Sequence, residues 1–80
     1  MEGKRKMFRL RDLKNGLFQI HKTNGPAFEG TAFSIFQEAV KLGVRQDDLV
    51  YAAHKLKERG HDYADFESDG KLKHTKKNGG

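Results

Sequence analysis

The apolar positions at the start of the chain fit two periods. Met7, Leu10 and Leu13, three apart, would form a helical stripe, whereas Phe8 and Leu10, two apart, would share one face of a strand. Asn15-Gly16 then punctuates. It can stop a helix through a left-handed glycine or close a hairpin, for which Asn-Gly is the strongest short signal. Leu17 to Lys22 predicts a strand with Phe18 and Ile20 on one side. Both readings of residues 4–14 stand, with the hairpin preferred. Thr23-Asn24-Gly25-Pro26 predicts a loop that Gly30 closes.

Thr31 is a suitable N-cap for a helix beginning at Ala32. Ala32, Ile35, Phe36, Ala39, Val40 and Leu42 give that helix a broad apolar face, and Gly43 ends it. A second helix starts between Arg45 and Asp48 and runs to about Arg59. Asp47 and Asp48 in its first turn, and Lys55, Lys57 and Arg59 near its end, complement the helix dipole. Leu49, Ala52, Ala53 and Leu56 form its apolar stripe, and Gly60 stops it. Tyr63, Phe66 and Leu72 flank Ser68-Asp69-Gly70, a second hairpin signal, with strands at 62–67 and 71–75. The expected fold is one α+β domain over 1–80. It has two central helices in a helix-turn-helix arrangement, flanked by short strands or hairpins. Flexible basic tails are expected at 1–6 and 76–80.

Residues 35–54 resemble the helix-turn-helix unit of the phage Cro and repressor type. A small residue, Ala39, lies four before a glycine, Gly43, and apolar Val44 follows. Leu49 and Ala52 fall where the second helix would cross the first. The resemblance implies that Ala39, Gly43, Val44, Leu49 and Ala52 hold the unit together, with Phe36, Ala39 and Leu49 buried at the crossing. Arg45, Gln46, Asp47, Val50 and Tyr51 would then face the major groove. Gln46 could read adenine, and Arg45 guanine or phosphate. Two positions depart from the pattern: Glu38 stands where an apolar residue or Thr is commoner, and Asp47 and Asp48 put negative charge at the docking end. The order strand, helix, helix, hairpin is also similar to a winged helix, whose wing would be the closing hairpin.

Charge changes this picture. The net charge of +5 points to an acidic partner. Residues 1–14 hold six basic and two acidic side chains and residues 70–80 hold four basic and no acidic ones, so the centre, with six against nine, is acidic. Two functional expectations follow. The first is a small regulatory protein that binds nucleic acid, DNA before RNA, through Arg45, Gln46 and Tyr51. Phosphate contacts would come from Lys4, Arg5, Lys6, Arg9, Arg11, Lys71 and Lys73. The second is a protein-binding regulator or adaptor of the kind phages and mobile elements encode, using Asp47, Asp48, Glu58, Asp62 and Asp65. Gly79-Gly80 raises a third, because ubiquitin-like and sulfur-carrier proteins end this way; a helix over 46–59, where such folds need strand and loop, argues against it.

The remaining chemistry is sparse. Eighty residues without Cys need an apolar core, for which the eight aromatics Phe8, Phe18, Phe28, Phe33, Phe36, Tyr51, Tyr63 and Phe66 are the main candidates. Asp65, Glu67 and Asp69 before Gly70 imitate half a calcium loop, but Lys76 stands where its closing acid belongs. His21, His54, His61 and His74 have no metal-ligand spacing. No nucleophile or paired-carboxylate motif is visible, so neither an enzyme nor a cofactor, metal or small-molecule site is expected. No apolar run approaches a membrane span. The basic amino end is not followed by the apolar stretch of a signal peptide. A soluble cytoplasmic protein is expected.

Overall fold

A computed structural model describes residues 7–77. Lys4, Arg5, Lys6 and the Gly79-Gly80 end lie outside the described residues. The elements are β1 (Phe8–Lys14), β2 (Leu17–Lys22), β3 (Ala27–Thr31), α1 (Ala32–Leu42), α2 (Gln46–Glu58), β4 (Tyr63–Phe66) and β5 (Leu72–Lys76). The five strands form one antiparallel sheet in the order β3-β2-β1-β4-β5. β1 to β3 make a meander, the chain passes through both helices, and β4 returns beside β1.

The hairpin reading of the amino end is correct. Asn15 and Gly16 both take positive φ, as a two-residue turn of the primed type requires, and β1 pairs with β2 from Phe8 to Lys14. Thr31 caps α1 by accepting a hydrogen bond from the Ser34 amide, and Gly43, at φ 117°, closes it. Residues 27–30, expected as loop, belong to β3. Its five residues, Ala-Phe-Glu-Gly-Thr, hold no apolar alternation, and its pairing with β2 makes it a strand. The closing hairpin reaches beyond the expected 71–75: Lys76, expected in a flexible tail, pairs with Tyr63.

Strand alternation decides the architecture. Phe8 and Leu10, Phe18 and Ile20, and Ala64 and Phe66 point to one side of the sheet, where all are buried. Ile35 and Ala39 from α1 and Leu49, Ala52 and Leu56 from α2 complete a single core. Ala39, Ala52 and Ala64 are wholly buried, and their small side chains let the layers approach. Three of the aromatics expected in the core are exposed instead: Phe28, Phe33 and Tyr51.

The helix-turn-helix arrangement with flanking strands is overturned. The protein is a five-stranded antiparallel sheet with both helices laid on one face, α1 over β2 and β3, α2 over β1, β4 and β5. Ala39 and Leu49 are buried as expected, but in a core shared with the sheet; Phe36 is half-buried, its ring edge-on to Phe18 at 5.4 Å. The wing reading fails too, because β4 pairs with the central strand β1 along Tyr63–Phe66. A helical stripe states that one face is apolar, not what covers it, and here the sheet covers it.

The turn between the helices is pinned by the β4–β5 turn. The Arg45 amide donates to the Gly70 carbonyl at 2.9 Å, and the Leu72 amide donates to the Asp48 carboxylate at 2.7 Å. Gly70 sits at φ 91°, and a Cβ there would lie 2.0 Å from the Gly43 carbonyl oxygen. The end of α2 that would dock on DNA in a helix-turn-helix is thus partly occupied by the chain's own hairpin.

Candidate nucleic-acid interface

With both helices on one side, the opposite face of the sheet is left open by the described residues. Register shows what it carries. One cross-strand row runs Ala27, His21, Arg9, Asp65, His74; the next runs Glu29, Gln19, Arg11, Tyr63, Lys76. Neighbours in a row are about 4.8 Å apart between strands, so the cations share one surface. This follows from the same alternation that builds the core: Phe8 and Leu10 turn inward, so Arg9 and Arg11 turn outward.

At the centre of the face lies a cluster built on Asp65, which is only 7% exposed. Arg9 grips its carboxylate with two hydrogen bonds, Nε to Oδ1 at 2.7 Å and Nη2 to Oδ2 at 3.0 Å. His74 Nε2 lies 2.9 Å from Oδ2. The Arg9 guanidinium also lies over the Tyr63 ring, 4.2 Å from its centroid, a favourable cation–π arrangement. Burial pushes the Asp65 carboxyl up, but the hydrogen bonds and charge of Arg9, helped by His74, outweigh it and hold it below the ordinary value. The hydrogen bond and charge of the same carboxylate raise Arg9. Asp65 is therefore a committed anion that neutralises part of one cation, and its stability contribution is largely structural.

The residues expected from sequence to form one site are divided by the fold. Arg9 and Arg11 lie on the open face. Arg45, Gln46 and Tyr51 belong to the helical layer on the other side, all exposed. Arg45, Gln46, Asp47 and Asp48 line one shallow depression at the start of α2. Lys71 and Lys73 are exposed near the β4–β5 turn. Of the acids expected to receive a protein, Asp48 holds the Leu72 amide, Asp62 lies 3.2 Å from Lys14 Nζ, and Asp65 is held by Arg9 and His74. Asp47 and Glu58 are exposed. Asp69 caps the Lys71 amide within its turn, a different task from that of Asp65, so the half calcium loop is divided between sheet and turn.

Sequence reasoning missed His21, Tyr63, His74 and Lys76 as neighbours of Arg9 and Arg11. A signal was present in the period-two runs Phe8-Arg9-Leu10-Arg11 and Tyr63-Ala64-Asp65-Phe66, whose polar members must share a face if the strands pair. It also missed a groove of about 560 Å³ between the helices, lined by Phe33, Phe36, Val40, Leu49 and Val50, with Gln37, Lys41 and Gln46 around them.

No described helix is long and apolar enough to cross a membrane. No protein-family model matches the chain, and no curated protein or solved structure matches it.

Proposed function

We propose that the protein is a small nucleic-acid-binding regulator whose contact surface is the open face of its sheet. One observation carries this reading. Arg9, Arg11 and Lys76 share that face with His21 and His74, while its central acid, Asp65, is already consumed by Arg9 and His74. The basic run Lys4-Arg5-Lys6 leads into β1, the middle strand of that face, and Lys77 follows β5. Duplex reading through α2 lapses with the helix-turn-helix arrangement, and the preference for DNA over RNA lapses with it. Both helices lie on the far side of the sheet, so no helix projects from the open face into a major groove. A broad sheet bearing cations and aromatic rings suits a single strand, which can lie across it with its bases turned toward the protein.

The test is fluorescence anisotropy with labelled single-stranded DNA, single-stranded RNA and duplex at two salt concentrations. Arg11→Ala/Lys76→Ala should weaken single-strand binding for all sequences alike. It should also lower the salt slope by about 0.7 per lost phosphate contact. Unchanged affinity and slope in this variant, with a loss in Arg45→Ala/Gln46→Ala instead, would transfer the site to the helical layer and overturn the proposal.

A protein-binding regulator is the second reading, favoured by the groove. Phe33 is 74% and Val50 64% exposed, beside Val40 and Tyr51, an apolar concentration that a small soluble domain seldom leaves bare. The occupant that fits is an amphipathic helix with an acidic side chain placed to meet Lys41, the one charged residue lining the groove among the described residues. Helical peptides selected from a display library should carry that acid and lose binding to Val50→Asp. Selected peptides without it, or binding that survives Val50→Asp, would count against this second reading.

A further inference from the structure

The open face holds a cavity that phosphate contacts alone do not explain. It measures about 180 Å³ and is lined by Met7, Phe8, Arg9, His21, Thr23 and Asp65. Tyr63 is absent from this lining, and register gives the reason. Tyr63 stands opposite Arg11, one step along β1 in one direction from Arg9, whereas Met7 and Thr23 lie in the other. Arg9 therefore touches both the Tyr63 ring and the cavity. Its orientation is fixed twice: Nε and Nη2 are both held by Asp65, and its central carbon lies 4.2 Å from the Tyr63 ring centroid. Its side chain is still 44% exposed. A planar cation held in place beside an open cavity is a prepared stacking surface.

We propose that this cavity receives one unstacked nucleobase of a bound single strand, stacked on the Arg9 guanidinium with His21 beside it. The inference rests on the nucleic-acid reading above and deepens it. The volume is below the about 300–1,000 Å³ of sites for drug-sized ligands, which limits the occupant to about one ring system. The lining matches a base: a flat cation for its π-face and an imidazole at the side. A phosphate alone would gain less from Arg9, whose charge Asp65 partly balances. Bases stack on arginine planes as well as on aromatic rings in single-strand recognition.

The experiment compares a labelled single-stranded oligonucleotide with an abasic strand of the same length and charge, by anisotropy at two salt concentrations. The parent protein should prefer the base-bearing strand by at least about fivefold, the lower end of what stacking one base gives. Arg9→Lys keeps the charge and removes the plane, and His21→Ala removes an exposed ring without touching the core. Each should erase most of that preference and leave the salt slope unchanged. A parent that binds both strands equally keeps the nucleic-acid reading and overturns the pocket. So does a preference that survives both variants. Binding of neither strand at low salt overturns the pocket and the reading beneath it together.

Discussion

Gly70→Ala is a sensitive probe of how the hairpin pins the helices. A residue with a side chain at φ 91° costs about 1–2 kcal/mol in backbone strain. The added Cβ would lie 2.0 Å from the Gly43 carbonyl oxygen and 3.1 Å from the Arg45 nitrogen, both backbone atoms that cannot swing aside. The turn must retreat, which weakens the bond from the Arg45 amide to Gly70 and the bond from the Leu72 amide to Asp48, each worth about 1 kcal/mol or more. The total is about 3–5 kcal/mol, a large share of the roughly 4–12 kcal/mol expected for a domain of this size. At about 4–8 °C per kcal/mol, the Tm should fall by about 12 °C or more. Gly16→Ala is the matched control: φ is 79°, yet nothing lies within 4 Å of its added Cβ. It should show the strain cost alone, so the gap between the two variants isolates the close approach. Thermal unfolding followed by circular dichroism reads both. Equal melting of Gly70→Ala and Gly16→Ala would refute the contact between the turns.

Two further outcomes test the core and the central ion pair. Ala39 is wholly buried, so Ala39→Glu places an unpaired charge among apolar side chains and should abolish cooperative unfolding at 37 °C; a melting curve like the parent's would show that this face of α1 is not packed on the sheet. The folded Asp65 carboxyl lies below its ordinary value, so its contribution is complete above the unfolded value of about 3.9 and is lost as pH falls through the lower folded value. Asp65→Asn should therefore be less stable than the parent at pH 7 by about 1–3 kcal/mol, with the difference shrinking below about pH 4. A constant difference from pH 7 to pH 2, measured by urea unfolding, would contradict this account of Asp65.

Most elements were legible in the sequence because their boundaries are chemical. Asn15-Gly16, Thr31, Gly43, Gly60 and Asp69-Gly70 mark turns and caps by side-chain or backbone requirements that act locally. β3 was not legible, since Gly30 and a lone Phe28 carry no period, and its pairing with β2 is a tertiary fact. The assembly was misread for a related reason. Ala39, Gly43, Leu49 and Ala52 have the spacing of two helices packed on each other, but small residues serve equally well beneath helices packed on a sheet. The candidate site was half legible: Arg9 and Arg11 were identified as cations, while their neighbours Tyr63, His74 and Lys76 come from strands more than 50 residues away and meet them only through register.

The most direct measurement is a backbone and side-chain NMR titration of the folded protein with a single-stranded oligonucleotide. The Arg9 Nε–H, the ring protons of His21, Tyr63 and His74, and the amides of Arg11 and Lys76 should shift together in a saturable manner. Residues 45–51, at the start of α2, should stay in place. Shifts concentrated at Arg45, Gln46 and Tyr51 with a silent sheet face, or no saturable shifts at low salt, would contradict the claim that the open sheet is the binding surface.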